Sequence, residues 1–191
     1  MPRLLYDPSQ STRSIRVALG VSESGTNYER IRERDPNQDY IVFSNSPKCV
    51  GVTKAKANGD RVVSLDSERY FNDMLGLEKI PRKGVERDSY DRAIMTLVEQ
   101  TIGMPDLICL AGYDLWIGDW MVDRYFPCIL NVHPGETQKK YKGLGWRPIA
   151  AAILAGEQSV KSTVFFVDKS DDGGPVLIQS ASLTISKWNN E

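Results

Sequence analysis

The chain alternates short apolar runs with longer amphipathic stretches, and this alternation constrains its fold more than any other feature. The predicted strands are residues 14–21, 39–45, 61–65, 105–113, 128–132, 162–168 and 175–186. The predicted helices are residues 26–34, 49–59, 88–101, 116–126 and 146–156. Strands that alternate with helices predict βαβ units. The expected fold is therefore a Rossmann-like, doubly wound α/β fold with a mostly parallel sheet.

The length and the charge of the chain limit the classes of protein to which it can belong. A chain of 191 residues predicts one catalytic domain, residues 14–191, preceded by a loose arm, residues 1–13. Lys and Arg number 24 against 25 Asp and Glu, so the charge balance gives no reason to expect a nucleic-acid partner. No apolar run reaches the roughly 20 residues that span a bilayer. Without a hydrophobic leader or paired cysteine spacings, we expect a cytoplasmic protein without a metal site.

A glycine loop, "GVSESGTN", joins the first predicted strand to the first predicted helix. Gly20 and Gly25 have Walker A spacing, but Thr26 and Asn27 follow where the lysine would stand, so an NTPase site is excluded. A helix N-terminus after such a loop can bind a phosphate. The pattern leaves two readings open: a phosphate cradle at Gly25, Thr26 and Asn27, or an ordinary tight turn.

The single histidine of the chain, His133, follows the strand-like run "CILNV". Asn131 lies two residues earlier, so the two side chains project from the same face of a strand. Ligands of open α/β sheets bind at this end of the strands. An amide and a protonated imidazole aimed at one point can stabilise an oxyanion, provided that a carboxylate keeps the ring charged. The turn "KSDDGGP" offers Asp171 or Asp172, and the residue pattern does not choose between them.

Taken together, the order of these motifs resembles the folate-dependent formyltransferases, above all those that act on glycinamide ribonucleotide. The resemblance is carried by "VALGVSESGTN", "VFSN", "PDLICLAGY", "ILNVHPG", "YKGLGW", "ILAGE" and "FFVDKSDDGGPVLIQ". "RPIAAAILAGE" is also similar to methionyl-tRNA formyltransferase. The resemblance implies transfer of a formyl group from 10-formyltetrahydrofolate, the donor co-substrate, to a primary amine in de novo purine biosynthesis.

The resemblance also implies roles for individual residues. Asn131 and His133 stabilise the tetrahedral oxyanion, and Asp172 keeps the histidine charged and relays the proton. The glycine loop, Gly25, Thr26 and Asn27, binds the substrate phosphate. The remaining implied residues bind the folate: Arg87, Asp114, Leu115, Trp116, Ile117, Asp168, Lys169, Ser170 and Asp171.

The chain departs from the family pattern at several positions. Glu23 replaces a glycine in the phosphate loop, residues 114–117 replace Met-Arg-Ile-Leu, and the chain ends before the C-terminal elements expected of the family. Three other functions stay open: a formyltransferase for an amino-sugar nucleotide, a formyltetrahydrofolate hydrolase in which water replaces the amine, and a folate- or nucleotide-binding module without turnover. The expected partner is a small-molecule amine, with no nucleic acid or membrane. The chain is expected to be a monomer or a homodimer.

Overall fold

A computed structural model describes residues 6–7, 9–139, 141, 143 and 145–185. The strands are β1 (Val17–Val21), β2 (Tyr40–Ser44), β3 (Arg61–Ser64), β4 (Leu107–Leu110), β5 (Ile129–His133), β6 (Ser159–Val160), β7 (Thr163–Phe166), β8 (Val176–Gln179) and β9 (Leu183–Thr184). The helices are α1 (Thr26–Arg34), α2 (Val50–Ala57), α3 (Val85–Ile102), α4 (Asp119–Tyr125) and α5 (Arg147–Leu154). Seven strands form one sheet in the order β3-β2-β1-β4-β5-β7-β8. The predicted Rossmann-like, mostly parallel α/β fold is confirmed.

The chain divides into two compact units, Met1–Leu130 (unit 1) and Asn131–Glu191 (unit 2). In unit 1, β1 pairs in parallel with β2 and β4, and β2 pairs in parallel with β3. Every residue of β1 and β2 is buried. Both faces of these strands are covered, which explains why their sequences are apolar runs without polar alternation.

Residues 66–86 had no predicted element, but the structure contains a π-helical segment, Arg69–Met74. Phe71 is fully buried there and stacks on Tyr90 of α3, with the two ring centroids 5.3 Å apart. Tyr70 meets both rings edge-on at similar distances. These aromatic contacts pack residues 66–86 against α3. The few apolar residues of this segment are widely spaced, so the sequence showed no helical or strand period there.

The prediction of one continuous strand over residues 175–186 is wrong. In unit 2, β8 pairs antiparallel with β7, whereas β9 pairs antiparallel with β6, which the sequence did not predict. The backbone N–H of Ser180 donates to the carbonyl of Ser162 at the break. The two-residue strands β6 and β9 are too short to give a periodic pattern.

Arg13, in the described part of the N-terminal arm, is bonded to a distant residue of unit 1. Arg13 forms two hydrogen bonds to the carboxylate of Asp106, at 2.6 and 2.8 Å, and Asp106 also accepts the backbone N–H of Arg16. Residues 1–5 and 8 lie outside the described residues, so a loose arm there stays a prediction. Among the described residues, no helix combines the length and the hydropathy needed to cross a membrane.

Candidate active site

The glycine loop is built on a close approach between two backbones. Gly25, which precedes α1, has a left-handed φ of 68°. A Cβ at this position would lie 2.5 Å from the Cα of Gly51. The N–H of Gly51 donates to the carbonyl of Glu23 at 2.9 Å. Only glycine fits at residue 25, both because of its φ and because α2 lies against it.

The other residues of the loop stand at the N-terminus of α1. Thr26 is exposed and Asn27 is half-buried, and no side chain caps the helix at Gly25. A helix N-terminus carries a partial positive charge and free N–H donors, which suit a phosphate. Glu23 is exposed, and its backbone carbonyl is the group that contacts α2. The geometry of the loop is therefore compatible with phosphate binding, although Glu23 lies in the loop.

Three strand ends of unit 1 meet in a closed ring of hydrogen bonds that the sequence did not reveal. The N–H of Asp114 donates to Oγ of Ser22 at 2.9 Å, and that hydroxyl donates to Oδ1 of Asn45 at 2.5 Å. The amide of Asn45 donates back to Oδ1 of Asp114 at 2.9 Å. Ser22 and Asn45 are each 6% exposed, whereas Asp114 is exposed. The one available signal was a polar residue directly after each apolar run.

The segment predicted to line a pterin pocket, Asp114 to Ile117, lies between β4 and α4. Leu115 and Trp116 are half-buried, and Ile117 is buried. The guanidinium of Arg82 stacks on the Trp116 ring, 3.8 Å from its centroid. The four residues therefore form a loop of mixed exposure.

The predicted helix start at Trp116 is wrong, because α4 begins at Asp119. Gly118 has extended backbone, with φ −71° and ψ 159°. Its N–H donates to Oδ2 of Asp91 at 2.7 Å, and the N–H of Trp120 donates to Oδ1 of Asp88 at 3.1 Å. These two carboxylates of α3 satisfy the first donors of α4 and thereby set where the helix starts.

Arg87 lies inside unit 1 with 0% exposure. Its guanidinium forms an ion pair with Asp91 and lies 4.7 Å from the centroid of the Tyr90 ring. Although burial alone would lower the pKa of Arg87, the adjacent carboxylate raises it above its ordinary value. Nε and Nη1 of Arg87 form no hydrogen bond within the described part of the chain, so a predicted contact with a folate would require these buried atoms to become accessible, while the pair with Asp91 could remain. That contact stays a prediction.

His133 is the last residue of β5 and is 3% exposed. Its Nε2 lies 3.1 Å from the carbonyl oxygen of Tyr141. Because a carbonyl can only accept, Nε2 carries a hydrogen in this arrangement. Its Nδ1 lies 3.8 Å from Oδ2 of Asp172, which is an ion-pair distance when the ring is protonated. Nδ1 is therefore the nitrogen that can exchange a proton in front of a carboxylate. Asn131, two residues earlier on β5, is half-buried.

The turn that carries Asp172 requires unusual backbone. Asp172 has a left-handed φ of 49°, which aspartate and asparagine adopt more readily than most residues. A Cβ on Gly174 would lie 1.8 Å from the carbonyl oxygen of Phe166, so only glycine fits there. Of the two carboxylates that the residue pattern left open, Asp172 faces His133, while Asp171 is exposed.

The loop before Asp172 is closed by its own side chains. Oδ1 of Asp168 accepts the backbone N–H of Ser170 at 2.9 Å and also contacts the Ser170 hydroxyl. Lys169 and Ser170 are exposed. The predicted folate contacts of residues 168–171 therefore belong to a local turn that presents its central residues to solvent.

The carbonyl of Tyr141, which contacts the His133 ring, belongs to a segment that side-chain hydrogen bonds and ion pairs hold in place. We call this group of residues the Tyr141 clasp (Glu136, Lys139, Tyr141 and Glu157). The hydroxyl of Tyr141 donates to Oε1 of Glu157 at 2.8 Å. Lys139 lies 3.2 Å from a carboxylate oxygen of both Glu157 and Glu136. Hydrogen bonds from Tyr141 and Lys139 lower the pKa of Glu157. No sequence motif marked this clasp.

Comparisons with known proteins identify the family of the chain. The profile described as "Formyl transferase" matches residues 15–189. The chain belongs to the formyl transferase family. The predicted family resemblance is confirmed.

Among curated relatives of this family member, phosphoribosylglycinamide formyltransferase of Escherichia coli (strain K12) is 29% identical over 169 residues, 86% of this chain and 71% of that protein. The trifunctional purine biosynthetic protein adenosine-3 of Drosophila melanogaster is 28% identical over 90% of this chain, which spans only 12% of the fly protein. The structure of phosphoribosylglycinamide formyltransferase from Streptococcus pneumoniae TIGR4 superimposes with a TM-score of 0.72 at 25% identity, covering 93% of this chain and 86% of that chain.

Proposed function

We propose that the protein transfers a formyl group from 10-formyltetrahydrofolate to the primary amine of glycinamide ribonucleotide, as in de novo purine biosynthesis. The observation that carries the proposal is the buried His133 with Nδ1 facing Asp172, on the same strand as Asn131. Family membership supports formyl transfer, and the names of the relatives support this acceptor. The expected partner is a small-molecule amine in the cytoplasm.

The chemistry follows from these groups. The neutral amine attacks the formyl carbon, and a C–N bond forms while the carbonyl oxygen becomes an oxyanion. The Asn131 amide and the Nδ1–H of the protonated His133 ring are donors suited to that oxygen, while Nε2–H stays on the carbonyl of Tyr141. When the bond from the formyl carbon to N10 of the folate breaks, the proton lost by the amine passes to N10. Asp172 stabilises this imidazolium, which gives its Nδ1 proton to N10 and then takes up the proton that the amine loses.

The two substrates have separate candidate binding residues. The N-terminus of α1, at Gly25, Thr26 and Asn27, would hold the phosphate of the amine substrate. Residues 114–117 and 168–171 would bind the folate, to which Arg87 is added by the family resemblance. Backbone groups of a loop such as 114–117 can bind a pterin without a particular side-chain sequence, which fits the changed residues there.

The test is release of tetrahydrofolate by the full chain. We expect release from 10-formyltetrahydrofolate with glycinamide ribonucleotide, and none with an amino-sugar nucleotide or without an acceptor. Release without an acceptor would identify a hydrolase instead. Release only with the amino-sugar nucleotide would mean that this nucleotide is the acceptor, and not glycinamide ribonucleotide. Thermal stabilisation by the folate without any release would leave a binding module and overturn the proposal.

A further inference from the structure

The carboxylate of Asp114 is fixed in position while the residue remains exposed. Its Oδ1 accepts from Asn45, and its own N–H is bonded to Ser22. Both partners are buried and are themselves hydrogen-bonded to each other, so the ring holds one Asp114 rotamer. A carboxylate that is already oriented loses little side-chain entropy when it binds a ligand.

The direction of this side chain indicates which part of a ligand it faces. Asp114 follows β4, but its carboxylate bonds to Asn45, which follows β2. In the sheet, β1 lies between β4 and β2. The Asp114 side chain therefore crosses the end of β1, where Ser22 begins the loop that leads to Gly25. The carboxylate is therefore held beside Ser22, the first residue of the glycine loop.

A carboxylate at this place restricts the chemistry of the group that it can accept. Directly beside a phosphate it would repel the ligand, so the group next to it must be a hydrogen-bond donor. In glycinamide ribonucleotide the ribose is attached directly to the phosphate, while the nucleophilic amine is at the opposite end of the molecule. Ribose hydroxyls are neutral donors, and carboxylates at strand ends of α/β folds bind them.

We infer that the Asp114 side chain, instead of binding the folate together with residues 115–117, is a specificity-determining group that binds the ribose hydroxyls of the amine substrate while the glycine loop binds its phosphate. The inference rests on the proposed function, and it gives a role to a charge that interrupts an otherwise apolar segment. It assigns Ser22 and Asn45 the role of positioning residues, because they touch Asp114 and no reacting group.

The experiment measures the binding of two sugar phosphates to the full chain by calorimetry. We expect wild-type protein to bind ribose 5-phosphate about tenfold more tightly than 2-deoxyribose 5-phosphate, the value of one hydrogen bond to a charged group. In Asp114→Ala the preference disappears, because ribose 5-phosphate binding falls to the level of the deoxy sugar. Asp114→Asn retains part of the preference, and it serves as the second variant if the alanine protein does not fold.

Glu23→Gln is the matched control, because it removes a nearby exposed carboxylate from the same loop. We expect it to change the affinity for both sugars by the same factor and to leave the preference intact. The inference is overturned if Asp114→Ala keeps the preference, if wild-type protein has none, or if wild-type protein binds neither sugar phosphate.

A parallel formyl-transfer assay separates this inference from the proposed function. Formyl transfer by wild-type protein together with an unchanged sugar preference in Asp114→Ala removes the inference alone. A lost preference in that variant without any formyl transfer by wild-type protein leaves the sugar-phosphate site standing and removes the proposed function.

Discussion

Unit 1 holds its polar strand-end groups with buried neutral residues, whereas unit 2 holds its histidine through a loop that half-buried carboxylates and an exposed lysine keep in place. In unit 1 the ring of Ser22, Asn45 and Asp114 joins three strand ends. In unit 2 the Nε2 of His133 contacts the backbone of Tyr141, whose own position depends on Glu157. The proposed binding residues of unit 1 are therefore positioned by the sheet, while the position of the proposed catalytic histidine in unit 2 also depends on electrostatic interactions.

Apart from removal of His133 itself, the largest effect is expected at the acidic turn of unit 2. Asp172→Asn removes the charge in front of Nδ1 of His133 but keeps a residue that tolerates a left-handed φ, so the fold should be retained. We expect kcat to fall by about two orders of magnitude, because the protonated ring loses its carboxylate. The measurement is tetrahydrofolate release as a function of pH.

Asp171→Asn is the matched control for that variant, since it removes the neighbouring charge. Any effect of it should appear in the KM for the folate, with kcat retained. Equal losses of kcat in both variants would mean that general charge at the turn matters, and that the contact between Asp172 and His133 does not.

The next effect tests the rigidity of unit 1. Gly25→Ala places a methyl group against the Cα of Gly51 and forces a left-handed φ on alanine. We expect the free energy of unfolding to fall by about 3 kcal/mol, from strain and overpacking together. Gly59→Ala has a similar φ of 76° but meets nothing within 4 Å, so it should cost only about 1 kcal/mol. Equal losses in urea titrations would show that the packing against Gly51 is unimportant.

A smaller effect sharpens the claim about the Tyr141 clasp. Tyr141→Phe removes the hydroxyl that bonds to Glu157, while the backbone carbonyl of residue 141 can still contact the His133 ring. We expect kcat to fall about two- to tenfold with KM unchanged, which corresponds to one lost hydrogen bond. At high salt the exposed pairs of Lys139 are screened, so wild-type protein should approach the variant.

Tyr125→Phe is the control for the clasp, because the Tyr125 hydroxyl bonds to Glu99 in unit 1 at 2.5 Å. That change should lower stability and leave kcat unaltered. If Tyr125→Phe lowers kcat as much as Tyr141→Phe does, the Tyr141 clasp has no specific role in positioning the histidine.

The smallest effect concerns the charge pair of the N-terminal arm. Hydrogen bonds from Arg13 hold the pKa of Asp106 below its ordinary value of 3.8. The stability from this pair is therefore present above pH 3.8 and is lost as the pH falls through the lowered pKa. Arg13→Ala should be less stable than wild type at neutral pH, and the difference should shrink in acid. A difference that is constant between neutral pH and pH 3 would show that Asp106 is not involved.

How far the sequence determined these features differs between the two units. The buried strands β1 and β2 were predictable because both of their faces are covered and their sequences are continuously apolar. The pair Asn131 and His133 was predictable from the period of a strand and its position at a sheet edge. Asp172 was predictable from the family motif alone.

The remaining features depend on contacts between residues far apart in the chain. The partner of His133 is a backbone carbonyl, which carries no side-chain signature. The ring at the strand ends joins Ser22, Asn45 and Asp114 across more than ninety positions. Arg87 lies in a charged helical stretch typical of a solvated face, yet burial against aromatic rings and Asp91 decides its position.

The most direct test of the account is a double-mutant cycle on His133 and Asp172, measured as the rate of tetrahydrofolate release with saturating glycinamide ribonucleotide and 10-formyltetrahydrofolate. We expect His133→Ala to reduce the rate by about two to four orders of magnitude. Adding Asp172→Asn to it should cause no further loss, because the two groups act as one unit. Losses that multiply in the double variant, or a His133→Ala protein with nearly wild-type turnover, would contradict the account.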